Sequence, residues 1–228
     1  MEQENTELER EIIGSIKKER FLAIYQKYKK IILTLFAIFI LIPFAITISH
    51  IVSNKQNIAY STKLYQAYSL NSQSNNIKIE QFKDIYYEGM KGSKILAGLN
   101  YANILVTEKR FDDAIEIYLE INGDSSYDDF IRKLSGFLAL KIMVDDKSQK
   151  YQKQISGLLI ILKAQNNDHF QYLIAEQEAI FDWNNKRYEI AYNKFLQLSN
   201  PLKQDIAQDI KNRAKIMANY AIKAKLFK

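Results

Sequence analysis

Apolar residues follow two regimes along this chain of 228 residues. From 31 to 52 they are nearly continuous, and twenty-two residues pass without a Lys, Arg, Asp or Glu. At about 1.5 Å of rise per residue such a helix reaches about 33 Å, enough to cross a hydrocarbon core of roughly 30 Å with its backbone amides bonded internally. The run predicts one membrane-spanning helix, kinked over 39–43 by Pro43, because proline removes a backbone donor. Beyond residue 53 the apolar positions recur at three and four, which is the helical period. Seven glycines and two prolines in the whole chain leave little turn chemistry for a sheet,. The expected fold class is all-α: a cytoplasmic helix over 1–30, a transmembrane anchor over 31–52, and a helical domain over 53–228.

Charge sets the expected direction of crossing. Lys17, Lys18, Arg20, Lys27, Lys29 and Lys30 precede the run closely, against Lys55 and Lys63 after it. The positive-inside bias points the N-terminus at the cytoplasm and places 53–228 beyond the membrane, in the periplasm of a bacterial cell. The apolar stretch is longer than the roughly 7–15 residues of a secretory signal core, and Ser49-His50-Ile51-Val52-Ser53-Asn54 offers no small-residue cleavage site, so an uncleaved anchor is expected,. The formal charge is +6, of which residues 1–30 hold seven basic and six acidic side chains. The remainder is only mildly basic, and a nucleic-acid partner is not expected. The absence of cysteine excludes a disulfide framework and any thiolate chemistry,.

A pattern repeats within the outer domain. Phe111, Ala114 and Tyr118 stand at spacings of three and four, so a small residue lies between two large ones on one helix face, where a second helix can approach closely,. Tyr188, Ala191 and Phe195 repeat the spacing 77 residues later, and each triplet follows a basic doublet, Lys109-Arg110 and Lys186-Arg187. Two such occurrences predict helix-turn-helix units of roughly 34 residues with an insertion between them. Ahead of the first triplet, Leu96, Leu99, Ala102 and Leu105 are expected on one side of a helix beginning near Ile95. Degenerate pairs are expected at 59–70 with 79–90, and at 130–144 with 150–164.

These triplets resemble tetratricopeptide repeats, whose second helix carries an aromatic, a small residue three later and an aromatic four after that. At first-helix positions, where that family prefers Trp, Leu, Gly and Tyr, the chain offers Gly98, Tyr101, Ala102 and Leu105 in one unit, and Ala175, Glu178, Ala179 and Asp182 in the other. Glu178 and Asp182 depart from the pattern. The resemblance implies a right-handed solenoid of helix pairs whose first helices line a concave groove. In that register Leu96, Leu99, Asn103 and Val106 face the groove in one unit, and Leu173, Glu176, Ile180 and Trp183 in another. Trp183, the single tryptophan, is either an exposed hot spot or a buried structural residue.

The stretch Glu11-Ile12-Ile13-Gly14-Ser15-Ile16-Lys17-Lys18-Glu19-Arg20-Phe21, continuing through Ile24-Tyr25-Gln26-Lys27-Tyr28 into the apolar run, resembles the YfgM-type ancillary subunits of the bacterial Sec translocon. The likeness is one of architecture: a short cytoplasmic helix, one span and a periplasmic tetratricopeptide-like domain. It implies a non-enzymatic inner-membrane protein whose partners are translocon subunits, periplasmic chaperones or newly exported chains. The alternative is a scaffold for cell-envelope assembly or division.

No catalytic constellation is apparent. His50 and His169 stand far apart, so no metal site and no cofactor are expected,. Of the doublets Asp112-Asp113, Asp128-Asp129 and Asp145-Asp146, two fall at helix starts, where carboxylates cap free amides. Asn122-Gly123-Asp124-Ser125-Ser126 lacks the glutamate of a calcium loop and is expected to be a turn. Residues 202–228 carry seven basic and two acidic side chains, with Ile206, Ile210, Ala214, Met217, Ala221 and Ile222 on one helical face, as expected of a capping helix. Its basic face is either solvated or in contact with anionic lipid or an acidic partner. Self-association is left open.

Overall fold

The computed structural model describes residues 47–49, 51–69, 75–146, 149–164 and 170–226. The chain divides into two units, Met1–Ile58 and Ala59–Lys228. Of the first unit only residues 47–49 and 51–58 are described, and they are helical. Most of the expected span, with Pro43 and His50, therefore lies outside the described residues, as does the cytoplasmic helix. Among the described residues no helix is long and apolar enough to cross a membrane.

The second unit is all-α. Helical residues 59–69 (α1) are followed by α2 (Asn75–Glu88), α3 (Lys91–Thr107), α4 (Phe111–Gly123), α5 (Asp129–Asp145), a 3-10 turn (Gln149–Tyr151), α6 (Gln152–Ala164), α7 (Gln171–Asn184), α8 (Tyr188–Leu198) and α9 (Gln208–Leu226). From α2 onward each helix packs on its neighbour in sequence, Tyr68 of α1 meets Phe82 of α2, and α5 and α7 also meet across α6, as do α7 and α9 across α8. The expected pairs are present to within a few residues, although α3 begins four residues before Ile95.

The basic doublets make two turns of one design. After α3, Lys109 takes a positive φ of 59°, its N–H bonds the Val106 carbonyl at 3.0 Å and the Arg110 N–H reaches the Leu105 carbonyl at 2.8 Å. After α7, Lys186 takes φ 61°, its N–H bonds the Trp183 carbonyl and the Arg187 N–H bonds the Asp182 carbonyl, both at 2.9 Å. This is the paired-bond C-terminal cap that glycine usually closes, formed twice on lysine. Each following helix then starts at the aromatic of the triplet.

Small residues admit the close approaches. Ala102, Ala114, Ala179 and Ala191 are fully buried. A Cβ on Gly98 would meet the Tyr86 ring at 2.6 Å, and one on Gly136 would meet Asn122 at 2.7 Å and Leu162 at 2.8 Å. The Asn122 amide donates to the Arg132 carbonyl at 2.8 Å while Arg132 Nε donates to the Asn122 carbonyl at 3.1 Å, locking α4 to α5. The buried stripe of α3 is Ala97, Gly98, Tyr101, Ala102 and Leu105, so Leu96, expected beside Ala102, faces solvent instead. It lies on the opposite side of the helix from that stripe, against which α2 and α4 pack,.

Two apolar clusters form the interior. The larger extends from α1 to α7, as far as Phe181, and the smaller joins α7, α8 and α9. Ile180 packs against both.

The left-handed lysines allow a direct check. Lys109→Gly and Lys186→Gly should each stabilise the domain by about 0.5–1 kcal/mol, because glycine adopts positive φ without the Cβ clash. Lys141→Gly in the interior of α5 should instead cost about 1 kcal/mol. Thermal melts should therefore move in opposite directions for the same replacement.

Candidate partner-binding surface

The eight groove positions divide between two environments. On α3, Leu96 is 48% exposed and Asn103 is exposed, while Leu99 and Val106 are half-buried against the larger cluster. Next to them the Asn100 amide donates to the Tyr68 hydroxyl and the Leu96 carbonyl, drawing α1 to the same side. That surface is open. On α7 the corresponding residues are largely engaged. Leu173 is half-buried beside a cleft of about 610 Å³ bordered by Tyr172, Asp205 and Ile210. Ile180 is half-buried between the two clusters, and Trp183 leans on Tyr188 with ring centroids 4.9 Å apart.

Glu176 is only 4% exposed and belongs to an ion pair, not to an open wall. Arg213 of α9 grips it with both arms, Nε to Oε1 at 2.7 Å and Nη2 to Oε2 at 2.8 Å, and also donates to Asp209 at 2.8 Å. A bidentate guanidinium satisfies a buried carboxylate better than a point charge does, and it seats α9 on α7. The Tyr172 hydroxyl donates to Asp205 at the root of the same helix. The groove set of α7 is thus partly covered by the chain's own C-terminal helix, and the sequence pattern alone shows no partner for Glu176.

The two departures from the repeat pattern build a second feature. Lys194 of α8 reaches Asp182 at 2.6 Å and Glu178 at 3.0 Å, Lys163 of α6 reaches Glu178 at 2.6 Å, and Arg187 reaches Asp182 at 2.6 Å. Asp182 is buried, so its two cations offset the cost of removing a carboxylate from water,. The pairs edge a cleft of about 420 Å³ between α6, α7 and α8, which Ile160 and Ile190 also line. Burial by itself raises the Glu178 pKa, but hydrogen bonds from Lys163 and Lys194 outweigh it and leave the carboxyl below its ordinary 4.5. Burial likewise opposes the Lys194 charge, and Asp182 and Glu178 hold its proton more firmly than in water. The sequence signal for this network was present as acidic residues at apolar repeat positions; the partners were not legible, because they come from two other helices and a turn.

The acidic doublets serve different ends. Asp128 caps α5 by accepting from the Phe130 N–H at 2.8 Å, as expected. Asp112 and Asp113 make no cap bond at the start of α4. Asp113 pairs with Arg110 at 2.6 Å, and Asp112 accepts from Lys150 at 2.6 Å and from the Tyr151 hydroxyl, tying the second helix pair to the third. Hydrogen bonds from Lys150 and Tyr151 hold Asp112 below the usual carboxylate range. Of the segment 122–126, expected as a turn, Asn122 and Gly123 still belong to α4, and the turn follows them, where Asp124 accepts from the Ser126 N–H at 2.9 Å. The repeat-packing residues Ala114, Tyr118, Ala191 and Phe195 are buried, whereas Phe111 is 41% exposed and Tyr188 is half-buried. Tyr118, desolvated, has its pKa pushed up to about 12.

Among the described residues no group of three or more His, Cys, Asp or Glu side chains gathers as a metal site would require. His169 lies outside them. No protein-family model, no curated protein and no solved structure matches this chain.

The depressed Glu178 pKa has a defined sign. Its ionised, paired form contributes stability that is complete above about pH 4.5 and is lost as pH falls through the lower folded-state value,. Glu178→Gln should lower the melting temperature at neutral pH and melt along a shallower acid limb, so that the two curves converge below pH 4.5. Parallel curves would show that the pair contributes nothing to acid sensitivity.

Proposed function

We propose that this chain is a membrane-anchored binding protein, with a tetratricopeptide-like solenoid held at the outer face of the bacterial inner membrane, where it joins the Sec translocon and assists newly exported chains. It makes and breaks no bond; it presents surface. The observation that carries the repeat reading is the pair of equivalent turns at Lys109-Arg110 and Lys186-Arg187, with the same two backbone bonds and the same aromatic–alanine–aromatic helix after each. Equivalent turns at equivalent positions are what a repeating unit requires, and stacked units leave a surface for extended segments. The apolar run over 31–52 and its basic N-terminal flank support the anchor and its direction,. The translocon as partner rests on the resemblance in layout.

Within this reading the ligand surface is the open part of the first helices, centred on Leu96 and Asn103, and the α7 portion around Leu173 and Trp183 is shared with α9. A scaffold for envelope assembly or division would use the same surface for different partners, and the crosslinked species separates the two.

Photocrosslinkers at Ser49, in living cells followed by mild detergent extraction, should capture translocon channel subunits. Recovery of envelope-assembly proteins alone would replace the translocon reading with the scaffold. A reporter fused after Lys228 should be active outside the cytoplasm, and cytoplasmic activity would overturn both.

A further inference from the structure

The last helix has two faces of different chemistry. Inward, Ile210, Ala214, Ala218 and Ala221 are buried against α8 and α7. Ile222, expected with them, is 39% exposed: it sits one position past Ala221, about 100° around the helix, on its flank,. The outer side itself carries Ile216 at 56% and Tyr220 at 57% exposed together with exposed Lys215 and Lys223, while Lys211 is half-buried beside the cleft against α8. The single carboxylate of α9 is Asp209, and Arg213 holds it at 2.8 Å. The outer face therefore combines lysines with exposed apolar and aromatic bodies and has no free acid.

We propose that this outer face of α9 is a contact surface for an anionic phospholipid bilayer. Lysine stems lie along apolar surface while their ammonium groups reach outward, which suits a plane of lipid phosphates beneath which Ile216 and Tyr220 enter the headgroup boundary. Nucleic acid recognition favours arginine forks, and the one arginine of this helix is committed to Glu176 and Asp209,. Two lysines bind anionic lipid weakly by themselves. A chain already tethered to the bilayer meets that surface at an effective concentration of about millimolar, and a weak contact then becomes populated. The proposal rests on the anchored reading, and it gives the domain a second attachment that salt or lipid composition can release.

The absence of cysteine makes the test specific. The full chain carrying Ile216→Cys, labelled with an environment-sensitive dye, is reconstituted into phosphatidylcholine vesicles with and without phosphatidylglycerol, each containing nitroxide-labelled lipid. Quenching should be severalfold greater in the anionic vesicles, should fall in high salt, and should be lost on combining Lys215→Gln and Lys223→Gln with helicity unchanged. The same dye at Ile160→Cys, on α6, should respond to neither lipid. Equal quenching in both vesicle types, or quenching indifferent to the two lysines, overturns the proposal. A larger dye response to soluble polyglutamate than to anionic vesicles overturns it in favour of an acidic polypeptide. Flotation with neutral vesicles after alkaline extraction reports the anchor separately: a chain that floats but shows no lipid-dependent quenching refutes the α9 contact alone. A chain that fails to float refutes the anchor, and with it the tethered form of the proposal.

Discussion

The C-terminal half of the domain depends on how α7 disposes of its carboxylates. Glu176, Glu178 and Asp182 lie on a helix packed against neighbours on several sides, and a carboxylate withdrawn from water is tolerated only when it is paired and hydrogen-bonded. Each carboxylate is answered from elsewhere: Glu176 by Arg213 of α9, Glu178 by Lys163 of α6 and Lys194 of α8, Asp182 by Lys194 and Arg187. Three helices are therefore placed around α7 by charge as well as by apolar contact. A hydrophobic seam alone would permit sliding, whereas a bidentate Arg213–Glu176 pair admits one seat for α9.

The same arrangement decides which surfaces remain for partners. Because α9 closes over part of α7, the outward surface of the first helices is open mainly on α3, around Leu96 and Asn103. In exchange α9 exposes its own lysine and isoleucine face. A domain built in this way offers two chemically distinct sides: a mixed apolar and amide surface suited to an extended polypeptide, and a basic, partly apolar one suited to an anionic plane.

Packing between the pairs is uneven. The second pair is joined to the third by reciprocal Asn122–Arg132 bonds, by the close approach at Gly136, and by Asp112 with Lys150 and Tyr151. Around α6 the contacts thin, and a cleft edged by Lys163, Glu178 and Lys194 remains. Ion pairs at a partly solvated boundary are weaker and more sensitive to pH and salt than buried apolar contact. Local opening is accordingly expected to concentrate at α6 before it reaches α3 to α5.

Much of this domain was legible in sequence because its determinants are local. The three-and-four spacing of Phe111, Ala114 and Tyr118, and of Tyr188, Ala191 and Phe195, requires helices that approach at an alanine, and the doublets Lys109-Arg110 and Lys186-Arg187 mark turns whose bonds close within six residues. The helix pairs and their order follow from such short-range facts. Periodicity does not say which neighbour a polar residue meets, nor which side of a helix the rest of the chain will cover. Leu96 and Ile222 share the spacing of core residues and stay exposed, because α2, α4 and α8 close on other sides of their helices. Glu176 fits the register of a groove residue and is sealed by an arginine 37 positions away. Such outcomes belong to tertiary structure, since the free energy of a buried charge depends on groups brought from distant parts of the chain, and local spacing carries no record of them.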